Sequence, residues 1–168
     1  MYKVDDLIIY DGTGVCRVEA ISQVDFVEDD DLYYVLRPLY KNGTIYAPVD
    51  GNRVYMRTVM SREEALHLID RIPAVAADIY KSNSIQQLSK HYQAVIDTHD
   101  MEALIGLTKS LHNKSLEASK QNRHLGQIDR KYMKRAEDLL FGELAAALEI
   151  PREEVLGFIS SQVGKTDI

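Results

Sequence analysis

Apolar residues in this chain alternate with polar ones up to about residue 57 and recur every three to four positions from Ser61 onward. A chain patterned that way folds as a sheet followed by a helical unit. Five strand-like segments succeed one another at about 6–10, 14–21, 32–39, 43–49 and 53–57. The pair around Asp11-Gly12-Thr13-Gly14 is the clearest. Beyond that turn Cys16, Val18 and Ala20 fall on one face and Arg17 and Glu19 on the other, as in a half-buried strand. Asn42-Gly43 predicts a tight hairpin because both residues tolerate positive φ, and Asp50-Gly51-Asn52 predicts a second turn. Short strands with regular turns imply a small all-β barrel or meander, with few residues left to cover its edges.

From Ser61 the signals are helical. Ser61-Arg62-Glu63-Glu64 and Ser84-Ile85-Gln86-Gln87 read as capping boxes. The first opens a helix with Ala65, Leu68 and Ile69 inward that stops near Pro73. The second opens a helix whose apolar stripe is Ile85, Leu88, Tyr92, Val95 and Ile96. Asp100 caps a third, Asn122 and Gly126 interrupt the polar stretch 117–127, a fourth runs from about Asp129 to Leu148, and Pro151 suits the first turn of a fifth. The predicted class is α+β in two domains: a small β-barrel over 1–57, then an all-α domain of about five helices over 58–165.

The net charge of −6 is unevenly spread. Residues 1–56 carry a net −5, and Glu28-Asp29-Asp30-Asp31 between the second and third strands is a run of four acids. It reads as a solvated loop, or as a surface that turns DNA away or meets a basic partner. Between 105 and 136, Lys109, Lys114, Lys120, Arg123, Arg130, Lys131, Lys134 and Arg135 face only Glu117 and Asp129, a local +6. Local charge steers a polyanion better than the whole-chain sum does. Arg130 and Lys134, and Lys131 and Arg135, are each four apart, so like charges stack along the start of the fourth helix. That arrangement suits either a solvated face or one that meets phosphates.

No catalytic constellation stands out. Asp11-Gly12-Thr13-Gly14 lacks the Lys and the following helix of a phosphate loop. The five histidines (His67, His91, His99, His112, His124) form no metal-ligand pair at helical spacing and have no cysteine company. Neither a metal nor a cofactor is expected, and nothing specifies an enzyme. Cys16, the single cysteine, excludes an internal disulfide and reads as a small buried hydrophobe. No apolar stretch approaches the roughly 20 residues that span a membrane, and Met1-Tyr2-Lys3-Val4-Asp5-Asp6 lacks the core of a signal peptide, so a cytoplasmic location is expected.

The order of these signals resembles the CarD/CdnL-type bacterial transcription regulators. The opening strand-turn-strand, Val18-Glu19-Ala20-Ile21, Tyr34-Val35-Leu36 and Thr44-Ile45-Tyr46-Ala47-Pro48-Val49 are similar to that family's RNA-polymerase-interacting domain, a Tudor-like barrel also found in transcription-repair coupling factors. Residues 133–144, ending Gly142-Glu143-Leu144, resemble the family's last long helix. The resemblance implies docking of the barrel on the polymerase β subunit, partly by strand pairing. It also implies contact of the helical domain with promoter DNA at the melted bubble, where a tryptophan wedge and basic residues change the lifetime of the open complex without reading sequence.

By that resemblance Ile85, Lys90, Lys134 and Arg135 contact DNA, Lys109 and Lys114 join the set from the basic window, and the polymerase-contacting positions include Val24 and Tyr46. The chain departs from the pattern here. It has no tryptophan, Ile85 stands at the wedge position and also begins an apolar stripe, and Val24 and Tyr46 replace two arginines of some members. As part of that stripe Ile85 is expected to be buried core. The alternative is a protein-interaction adaptor that docks on polymerase or another protein without touching DNA. An exposed Ile85 in one surface with the cations favours the first reading; a buried Ile85 with scattered cations favours the second.

Overall fold

The computed structural model describes residues 1–168, and the chain divides into two compact units, Met1–Met60 and Ser61–Ile168. The first holds five strands: β1 (Leu7–Tyr10), β2 (Gly14–Ser22), β3 (Tyr33–Pro38), β4 (Ile45–Pro48) and β5 (Met56–Thr58). They form one antiparallel sheet in the order β4-β3-β2-β1-β5. The hydrogen-bonded ladder is therefore open, with β4 and β5 as its edges, where a barrel was expected. Side chains occupy the seam instead: Tyr2, Val49 and Met56 pack against the core and line the cleft between the two edges. The core itself is Ile8, Cys16, Val18, Tyr34, Leu36 and Ala47, from alternate positions of four strands. Burial of each large aliphatic among them contributes about 1.5–3 kcal/mol.

Three local departures have physical reasons. The alternation of β2 holds to Val18 and then shifts, because Val18 pairs with Leu36 while Ala20 pairs with Val35, leaving Glu19 as an extra residue. The bulged Glu19 forms an ion pair with Arg37, offsetting the direct opposition of Arg17 and Arg37 across the ladder. The connection of β3 to β4 is six residues long (39–44) rather than a tight Asn42-Gly43 hairpin, and of that dipeptide only Gly43 takes positive φ, at 113°. Val49 N–H donates to Leu32 C=O, so by alternation the pairs 34/47 and 36/45 are hydrogen-bonded. The next such position on β3 is Pro38, which has no N–H to give, and the ladder stops there.

The second unit contains α1 (Arg62–Arg71), a 3₁₀ turn (Ile72–Ala74), α2 (Ile85–Asp97), α3 (Met101–Lys120), α4 (Gln127–Leu148), a second 3₁₀ turn (Arg152–Glu154) and α5 (Val155–Val163). Ser61 and Glu64 complete the first capping box. The second is only half built. Ser84 Oγ accepts from Gln87 N–H at 3.3 Å, but Gln87 Oε1 accepts from Ser82 Oγ at 2.8 Å rather than from the Ser84 amide. α3 ends where Asn122 turns left-handed at φ 56° and Arg123 N–H reaches back to Ala118 C=O. The helical core includes Ile69, Ile72, Tyr92, Ile105, Leu111, Leu140, Leu144 and Ile159. Glu143 of the Gly142-Glu143-Leu144 segment is fully buried with its neighbours, so that motif belongs to the interior.

Candidate functional site

In the first unit the candidate surface is the free edge of β4. Since 45, 47 and 49 direct their backbone groups toward β3, Tyr46 and Pro48 direct theirs outward. Pro48 lacks an N–H, so the outer edge offers the Tyr46 N–H and C=O and the Pro48 C=O. An edge with so few donors resists indiscriminate pairing yet accepts a matched strand. Tyr46 stands opposite Val35 and is 41% exposed. Its ring meets that of Phe26 edge to face, 4.8 Å between centroids, and Phe26 is itself 67% exposed. Val24, the other predicted contact, is half-buried at the start of the loop that carries Phe26.

Phe26 is the residue that sequence reasoning missed. Its signal was present: a phenylalanine set in Asp25-Phe26-Val27-Glu28, among acids and between two strands. The loop around it is held by named contacts. Gln23 Nε2 donates to Asp30 C=O at 3.1 Å, Tyr33 Oη to Asp29 Oδ2 at 2.9 Å, and Asp31 N–H to Asp29 Oδ1 at 3.2 Å.

In the second unit the six predicted DNA-contacting residues separate. Lys109 is 4% exposed, and its Nζ donates to Ile72 C=O at 2.8 Å and Val75 C=O at 2.7 Å. Lys114 Nζ donates to Tyr80 C=O at 3.0 Å and forms an ion pair with Asp129 at 2.9 Å. Asp129 in turn accepts from Tyr92 Oη at 2.5 Å, and burial with this bond to the carboxylate pushes the Tyr92 phenol well above its ordinary range. Both lysines thus fasten the extended segment after Ile72 along α3. Gly106 serves the same packing, since a Cβ there would lie 3.1 Å from Ala76 C=O. These two cations are structural, contrary to the expectation that they meet DNA. The cause is that this segment presents carbonyls over an apolar helix, and each needs a donor once buried.

The other four differ. Ile85 is 66% exposed, contrary to the expected core position. It lies on the apolar stripe of α2, but α4 starts opposite Tyr92 through the Asp129 contact, so the stripe overruns its partner by two turns. Lys90 is exposed but five residues further on, about 140° round the helix from Ile85. Lys134 is exposed and pairs with Asp138 at 3.3 Å, while Arg135 is half-buried with its Nε making no hydrogen bond. They do not form one face. A different set of cations gathers elsewhere on this unit, where α3 meets α4. Lys81 pairs with Glu117, which brings the approach to α2 beside the end of α3. A cleft between α3 and α4 is lined by Ser115, Ser119, Asn122, Arg123, Arg130 and Met133 without any acid, and Lys120 and Lys131 are exposed nearby in the chain; Lys81 and Glu117 line a second cleft, which shares Arg123 and holds Asp129.

No group of three or more His, Cys, Asp and Glu side chains is placed to hold a metal, and no helix is long and apolar enough to cross a membrane. Cys16 is fully buried, and burial pushes its thiol up to about 11. Compared with known families, residues 2–60 match the CarD-like/TRCF RID domain. The chain therefore carries a CarD-like RNA-polymerase-interacting domain over residues 2–60, and the match supports RNA polymerase as its partner. No curated protein matches the chain.

Proposed function

With a polymerase-interacting domain over residues 2–60 as the premise, we propose that the chain is a transcription regulator that docks on the polymerase β subunit through the outer edge of β4. By this reading it holds its helical unit against promoter DNA and changes the stability of the open complex. The observation that carries docking is the free Tyr46 backbone beside the exposed Phe26–Tyr46 pair: an edge prepared for an added strand, with apolar contacts at hand. Support for DNA contact comes from Ile85, an exposed aliphatic at the start of α2, together with Arg123, Arg130 and the exposed Lys120 and Lys131. An exposed apolar side chain and an acid-free basic cleft on one helical unit suit a distorted minor groove, the cations holding phosphates without reading bases.

The adaptor reading, docking without DNA, draws its support from the internal use of Lys109 and Lys114. One experiment separates the two: the lifetime of open complexes with the native chain, with Ile85→Ala, and with Arg130→Glu/Lys131→Glu. The DNA-contact reading expects both variants to abolish the change in lifetime while polymerase binding persists. A lifetime effect that survives both substitutions leaves the adaptor reading.

A further inference from the structure

The loop between β2 and β3 adds a second element to the edge. Asp25, Glu28, Asp29, Asp30 and Asp31 are all exposed, and of their carboxylates only that of Asp29 ties the loop, through Tyr33 and the Asp31 amide. No cation pairs with the other four. The Phe26–Tyr46 contact pins this loop, and the uncompensated carboxylates it carries, onto the strand whose Tyr46 backbone faces outward. Chain entropy and mutual repulsion both oppose fixing like charges at one edge. A compensating surface on the occupant removes the repulsion.

We propose that the β4 edge is selective for an extended segment of polymerase that carries lysine or arginine side chains beside an apolar one. The segment pairs with the Tyr46 N–H and C=O, seats its apolar side chain against Phe26 and Tyr46, and sets its cations against Glu28, Asp30 and Asp31. The inference rests on polymerase docking as proposed above and specifies the chemistry of the docked strand. It accounts for the position of Phe26, which a merely solvated loop has no reason to hold in water. The same negative field turns nucleic acid away from this edge and leaves phosphate contact to the helical unit.

The test titrates the full chain against core RNA polymerase at two salt concentrations. The variants are Glu28→Gln/Asp30→Asn/Asp31→Asn, Phe26→Ala, and a charge-matched control, Asp70→Asn/Asp78→Asn/Glu153→Gln, on the helical unit. Asp29 is left alone because it holds the loop. Neutralising the loop is expected to weaken binding about tenfold at low salt and to flatten its salt dependence, as loss of three rim charges should. Phe26→Ala weakens binding at both salts, and the control matches the native chain. Thermal melts within a degree or so of native for all three keep misfolding out of the comparison. Native-like affinity after neutralisation, or tighter binding, overturns the basic-strand inference and leaves docking intact. Failure of the native chain itself to bind core polymerase overturns both.

Discussion

The β unit leaves Phe26 and Tyr46 in water at a sheet edge, whereas the helical unit takes Lys109 and Lys114 out of water. In each case the residue is found where its type alone would not put it. Burying a lysine costs several kcal/mol unless its ammonium is fully bonded, and here carbonyls of the segment after Ile72 and the Asp129 carboxylate supply the bonds. Exposing a phenylalanine forgoes about 1.5–3 kcal/mol of burial. What decides each role is the backbone that packs beside it: a strap of carbonyls over α3, or an edge strand with no neighbour. A charged residue in the second unit is thus weak evidence of a surface, and an apolar residue at the edge of the first is strong evidence of one.

The largest effect that bears on this contrast is expected at the buried pair. Asp129→Ala strands the Lys114 ammonium and the Tyr92 hydroxyl and should lower stability by about 3 kcal/mol in a urea melt, while Lys109→Met, which takes the ammonium donor from the Val75 C=O and leaves the Ile72 C=O only the Val75 N–H, should cost about 2 kcal/mol. Lys90→Met and Lys134→Met should shift stability by less than about 0.5 kcal/mol. Equal effects at all three lysines would erase the distinction. Next comes Tyr46→Pro, which removes one outward N–H from an edge position that a proline tolerates. Polymerase binding should weaken about tenfold with the melting temperature little changed. Ile85→Ala should change stability by less than about 0.5 kcal/mol, where a buried isoleucine would cost 2–5 kcal/mol. A large loss would return Ile85 to the core.

The smallest effect concerns Cys16. Its folded thiol is raised from the ordinary value of 9.0 to about 11, so the native state keeps its proton over a range in which the unfolded chain releases it. Stability from this site is complete below about pH 9 and declines as pH rises from 9 toward 11. Alkylation at pH 8 should therefore proceed only as fast as the β unit opens, and labelling as rapid as that of a denatured control would contradict burial.

Much of this was legible in the sequence. Period two gave the strands and period 3.6 the helices, and Ser61, Asp100, Asn122 and Gly126 marked helix boundaries that the fold keeps. Legibility failed wherever a third element decided the outcome. Ile85 shares its stripe with Tyr92, and only the starting point of α4 tells that the stripe outruns its partner. Lys109 and Lys114 read as members of a basic window until the carbonyls of Ile72, Val75 and Tyr80 are laid over them. The Asn42-Gly43 turn was overridden by Pro38, four residues earlier, because a missing N–H ends a ladder whatever the turn prefers. Phe26 was hidden in an acidic loop, since nothing local connects it to Tyr46 twenty residues away.

Docking through the β4 edge is tested most directly by amide hydrogen exchange of the full chain with and without core RNA polymerase. The account predicts strong new protection of the Tyr46 amide on binding, as its free N–H enters a ladder, with protection spreading to the Phe26 loop. Binding that leaves exchange across Ile45–Pro48 unchanged would contradict it.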